Sequence, residues 1–182
     1  MLDFLSCWFA TNQTNLKTIQ FKGLEGISDT VLYTYNFEAP DAVSEIGGLK
    51  LLSLPWSERC KSTDFNFTDD RKFPIDLWNI DADGEEETIE LNLPTKMELA
   101  ELPVNVQISN PIADYSLVYK QKPGKLVLNR KFMFKKDNIG VEEIKDFQLL
   151  YRKIIAADNK QIALKASAGN ADSGLKKKGK SK

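Results

Sequence analysis

Residues 115–165 decide the fold: YSLVYKQKPGKLVLNRKFMFKK (115–136), then VEEIKDFQLLYRKIIAADNK (141–160), then QIALK (161–165). The first piece alternates apolar and polar residues on both sides of KPGK (122–125). There, proline followed by glycine supplies the fixed and the positive φ of a tight turn. This predicts a β-hairpin. Leu126, Leu128, Phe132 and Phe134 fall on one face of its second arm, and Val127, Asn129, Lys131 and Met133 on the other. A shift of face near Arg130 would suit a β-bulge. In the second piece Val141, Ile144, Phe147, Leu150, Tyr151, Ile154 and Ile155 recur at spacings of three and four, which predicts an amphipathic helix over 141–157. Glu142, Glu143 and Asp146 load its first turns and Arg152 and Lys153 its later ones, as the helix dipole favours. No other helical pattern exists to cover that stripe, so it must rest on a sheet.

The period of two extends upstream. NLKTIQFK (15–22) alternates imperfectly, whereas TVLYTYNFE (30–38) sets Val31, Tyr33, Tyr35 and Phe37 on one face. Gly47 and Gly48 open a strand LKLLSLPW (49–56), and a polar loop follows over 57–70. RKFPIDLWN (71–79) aligns Phe73, Ile75 and Leu77, with Pro74 restricting it to an edge or a strand start. The acidic DADGEEE (81–87) reads as a turn into TIELNLP (88–94), where Ile89, Leu91 and Leu93 alternate. Residues 97–109 hold one more extended stretch, interrupted by Pro103.

Composition removes several function classes. There is no histidine among 182 residues, which takes away the commonest general base and metal ligand. The net charge of −1 divides into a lysine-rich tail (166–182) of +4 and a body of −5. An acidic body is a poor electrostatic match for nucleic acid. No apolar run approaches the ~18 residues of a membrane span. The first residues, MLDFLSCWFATNQ, carry Asp3 where an export signal needs positive charge, and no cleavage site follows. Cys7 and Cys60 form no CxxC motif, and spacing alone leaves their pairing open.

The calcium-loop pattern is the sharpest candidate site. NIDADGEEETIE (79–90) places Asn79, Asp81, Asp83 and Glu90 at ligand offsets, with Gly84 at the sharp turn. Against it, asparagine replaces the first aspartate, Glu86 stands where such loops carry an apolar residue, and both flanks alternate like strands. The competing reading is a turn joining two antiparallel strands. Cys60 has no histidine to activate it, and the neighbouring Arg59 and Lys61 could only lower its pKa. Trp8, Trp56 and Trp78, with Tyr33, Tyr35, Tyr115 and Tyr119, are the materials of a sugar-binding face and equally of a β-sandwich core. Glycine-rich phosphate loops are absent, so no cofactor is expected.

The order RKFPIDLWN, EEETIELNLP, ELPVNVQIS, the hairpin, the helix and AADNKQIALK resembles the C-terminal domain of bacterial transglutaminase-like proteins. The resemblance covers 71–165 well and 27–56 more loosely. It implies a β-domain accompanying a core that carries a papain-like Cys-His-Asp triad for acyl transfer or amide hydrolysis. None of that triad carries over to this sequence. The resemblance further implies a periplasmic or cell-surface setting, and a protein partner in the catalytic core or the envelope.

The expectation is therefore a mostly antiparallel β-sandwich of about seven to nine strands over 15–165, closed by the 141–157 helix. It is preceded by a poorly defined segment (1–14) and followed by a disordered tail (166–182). The expected role is a non-catalytic accessory or interaction domain. The alternatives are an independent carbohydrate- or peptide-binding sandwich and, more remotely, an enzyme built around Cys60.

Overall fold

A computed structural model describes residues 15–24, 30–38, 42–56, 71–77, 84–93 and 95–167. Among them run twelve strands: β1 (Asn15–Lys22), β2 (Leu32–Glu38), β3 (Val43–Ile46), β4 (Leu49–Ser53), β5 (Ile75–Asp76), β6 (Gly84–Asn92), β7 (Met97–Glu101), β8 (Val106–Ser109), β9 (Ala113–Lys122), β10 (Lys125–Phe134), β11 (Asn138–Ile139) and β12 (Gln161–Ala166). A single turn of 3-10 helix (Val141–Glu143) leads into α1 (Ile144–Asp158). The strand count exceeds the expected seven to nine partly because β5 and β11 are two residues long and β3 only four.

Two four-stranded sheets, ordered β6-β10-β9-β8 and β3-β4-β12-β7, form the sandwich, with every pairing antiparallel. Two ribbons, β1-β2 and β11-β5, complete the set. Leu126, Leu128 and Leu117 of the first sheet, Ile162 and Leu164 of the second, and Phe147, Leu150 and Ile154 of α1 belong to one buried cluster. The helix is thus the lid that its stripe required: the edge contact of Tyr151 with Phe132 seats it on β10, and Phe147 packs edge-on against Tyr151 within the helix.

The hairpin forms where its alternation places it. β9 and β10 pair residue for residue from Lys122↔Lys125 to Ala113↔Phe134, and Gly124 takes φ +68° in the turn. That unbroken register overturns the expected bulge at Arg130. Arg130 lies on the inner face, in line with Leu126, Leu128 and Phe132, and is 1% exposed.

Three further boundaries move. Gly47 and Gly48, both at positive φ, form the two-residue connection of a β3–β4 hairpin, the pair of angles a type I′ turn demands. β6 begins at Gly84, so Glu85, Glu86 and Glu87 are strand residues and not a turn. Gly84 is needed there because a Cβ would come within 2.7 Å of the Phe132 carbonyl oxygen on β10. Phe73 leaves the face it was expected to share with Ile75 and Leu77 and is exposed. Arg71 Nε donates to the Phe73 carbonyl at 3.0 Å, a bond that accompanies this bend, while Leu77 N donates to Asp137 O at 2.7 Å and extends the β5–β11 ribbon.

The helix starts at a bridge of charge. Glu143 accepts from Gly140 N at 3.0 Å and pairs with Lys136, and those two donors hold its carboxyl below the ordinary range. The outer face of β6-β10 is laced with cross-strand contacts, Lys125–Glu90 at 3.3 Å and Asn129–Glu86 at 3.0 Å, as a solvated sheet face requires.

Candidate functional site

Two apolar stripes each carry one charged residue in register, and the two residues meet. Arg130 occupies the 126-128-130-132 row of β10, and Asp158 ends the 147-151-154-158 row of α1; both are 1% exposed. Arg130 Nε donates to Asp158 Oδ1 at 3.1 Å and to Oδ2 at 3.2 Å, and Arg130 Nη1 donates to Glu85 Oε2 of β6 at 3.0 Å. The Tyr115 hydroxyl donates to Asp158 Oδ1 at 2.6 Å. Trp56 Nε1, arriving from just beyond β4, donates to the Asp158 carbonyl at 3.3 Å. The guanidinium stands 5.9 Å from the Trp56 ring centroid and 6.0 Å from that of Tyr115.

The electrostatics explain how a carboxylate tolerates the negative end of a helix dipole in a dry core. Burial alone would lower the Arg130 pKa, but the Asp158 and Glu85 carboxylates outweigh it and hold the guanidinium charged. Tyr115 is driven well above the ordinary tyrosine range, first by burial and then by the Asp158 charge. Arg130, Asp158, Glu85, Tyr115 and Trp56 thus bond to one another in a clamp joining β4, β6, β9, β10 and the helix C-terminus.

Tyr119 sits beside the clamp on the same β9 row. Its hydroxyl is buried with no hydrogen-bond partner among the described residues. Burial, then the Asp158 charge, pushes its pKa up to about 12. The folded chain therefore keeps a proton that the unfolded chain releases near pH ~10. Stability is fully present below that pH and falls as pH rises toward 12. Tyr119→Phe should flatten the loss between roughly pH 10 and 12 in urea titrations, and at neutral pH should leave stability unchanged or higher. A neutral-pH loss above ~1 kcal/mol would show that the hydroxyl is bonded after all.

The calcium-loop residues do not assemble within what is described. Asn79, Asp81 and Asp83 lie outside the described residues. Glu90 is in the middle of β6, exposed, opposite Val127 and paired with Lys125. Nor are the flanking strands the two arms of one hairpin, since β5 pairs with β11 and β6 with β10. Among the described residues no group of three or more His, Cys, Asp or Glu could hold a metal. Cys7 and Cys60 are outside the described residues, as are Trp8 and Trp78. Trp56, Tyr115 and Tyr119 are buried in the core, while Tyr33 and Tyr35 stack at 5.9 Å on β2. Sequence reasoning missed the clamp, although an arginine and an aspartate on two apolar stripes were the signal for it.

With this geometry in hand, comparison with known proteins is informative. A family model described as a domain of unknown function with a solved structure, DUF3858, matches residues 49–164. The chain belongs to the DUF3858 family. The DUF3858 span runs from the start of β4 into β12 and contains every member of the clamp, Trp56, Glu85, Tyr115, Arg130 and Asp158. The β1–β2 ribbon and β3 precede it. No curated protein matches the chain. Among solved structures, this DUF3858 chain is similar to one described as "a putative protease from Parabacteroides distasonis", with a TM-score of 0.51 and 18% identity. The match takes in 65% of this chain and 23% of that one, and at such identity it establishes likeness of fold.

Proposed function

We propose that this chain is a non-catalytic accessory domain of a transglutaminase-like, protease-related protein, presenting a surface to a catalytic core or to an envelope protein. The observation that carries this reading is proportion. A similar fold occupies under a quarter of a larger chain described as a putative protease, so there it is one part among others. The chemistry agrees, because the buried charges among the described residues are spent on one another and not on a pocket. The sequence resemblance to the C-terminal domain of transglutaminase-like proteins argues for the periplasm or cell surface. No helix among the described residues is long and apolar enough to cross a membrane.

The test uses the purified chain and a transglutaminase-like core domain from the same genome. The chain alone should neither hydrolyse a fluorogenic casein substrate nor incorporate a labelled amine, and it should co-sediment with the core. Turnover by the chain alone that disappears in Cys60→Ser would overturn the reading. So would failure to associate with any such core at micromolar concentration.

A further inference from the structure

β7 is the outer strand of its sheet, paired with β12 on one side and with no described strand on the other. Beside it lies a groove of about 600 Å³, within the ~300–1,000 Å³ of ordinary ligand sites. Leu93, Met97 and Leu99 give it an apolar wall, and the β9–β10 turn with Lys122 and Gly124 faces them. Leu93 N donates to Gly124 O at 2.9 Å and fixes the distance between the two walls. An open strand edge next to an apolar trough is the arrangement by which a sheet accepts an extended segment: main-chain hydrogen bonds hold it and alternate side chains enter the trough. The opposite edge of the sheet, β3, exposes Val43 and Ile46.

Charge selects the occupant. Glu98 lines the groove, but its carboxylate is paired with Lys165 at 3.3 Å. Lys125 is likewise paired, with Glu90. Lys122 lines the groove with no ion pair among the described residues. The groove therefore offers one uncompensated positive charge above an apolar wall.

We propose that this groove binds an extended peptide segment with alternate aliphatic side chains and a flanking carboxylate, added to β7 as a fifth strand. This rests on reading the chain as an interaction domain and names the surface and partner chemistry that reading lacks. The probe is a fluorescein-labelled octapeptide of alternating serine and valine ended by two aspartates, with a control ended by two asparagines. Anisotropy should show saturable binding of the acidic peptide, about tenfold weaker for the control and for Lys122→Glu, and weakened by salt. Thr95→Trp, an exposed residue on the rim, should block both peptides while leaving the thermal midpoint unchanged. Amide exchange should slow at 97–101 in the complex.

No binding at about 1 mM peptide would overturn the proposal. Slowing at β3 in place of β7 would do the same. If the catalytic core still co-sediments with Lys122→Glu and Thr95→Trp, the groove is not its docking site and the accessory reading stands. If the peptide binds as described but no core does, the groove stands and the accessory reading falls.

Discussion

Asp158→Ala should cost the fold about 3–5 kcal/mol, the penalty for leaving a buried charge without its partner. Arg130 would remain 1% exposed with only the half-exposed arm to Glu85, and the Tyr115 hydroxyl would lose its acceptor. For a chain of this size that is a fall of roughly 6–20 °C in thermal midpoint. Asp158→Asn keeps an oxygen toward Tyr115 and Arg130 but removes the charge, so it should fall between parent and alanine. The decisive variant is the double replacement Arg130→Met with Asp158→Leu. Removing both charges also removes the desolvation burden, so the pair should recover most of what either single change loses. Urea titration measures all four proteins. Asp158→Ala within ~0.5 kcal/mol of the parent would mean that the guanidinium escapes to solvent and that the clamp does not organise the core.

The same two residues show where the fold could be read from sequence and where it could not. Periodicity located β1 to the residue, the β9–β10 hairpin within two, and α1 within three at its start; the hairpin and the helix each bury one face against a common core, whereas β1 alternates against β2 outside it. It failed at Arg130 because a charge in an apolar row looks like a slipped register when only one strand is considered. The partner that makes the position tolerable lies on a helix 28 residues away. It failed at Glu85 and Glu87 for a related reason. Three consecutive glutamates read as a solvated turn, yet Glu85 pairs with Arg130 and Glu87 accepts from Tyr35 at 2.9 Å, both on the inner row of β6. Gly84 was assigned a sharp turn, whereas close approach of β10 is what excludes a side chain there. The groove beside β7 was invisible for another reason: its two walls, near 97 and 122, are joined only by the tertiary fold. In each case the missing information was a long-range pairing, which local pattern does not carry.

Trp56→Ala should be the other severe substitution, at about 3–5 kcal/mol, as expected for removing a large buried aromatic. The ring is 1% exposed and lies three residues past the end of β4, 102 residues from the helix terminus it contacts. Two separable contributions are at stake. The indole N–H fills the Asp158 carbonyl, one of the last-turn acceptors that a helix cannot satisfy internally. The ring itself packs in the core and sits 5.9 Å from the Arg130 guanidinium. Trp56→Phe keeps much of the packing and loses the hydrogen bond, so it should cost only about 1–2 kcal/mol. Because Trp56 and Asp158 serve one cluster, the alanine changes should combine to less than their sum by at least ~0.5 kcal/mol. Strict additivity would show that Trp56 fills space next to the clamp without belonging to it. A phenylalanine as damaging as the alanine would assign the anchoring to the N–H bond over the ring. Either result bears on why the strand leaving β4 and the end of α1 must be in place together: the clamp cannot close from one sheet alone.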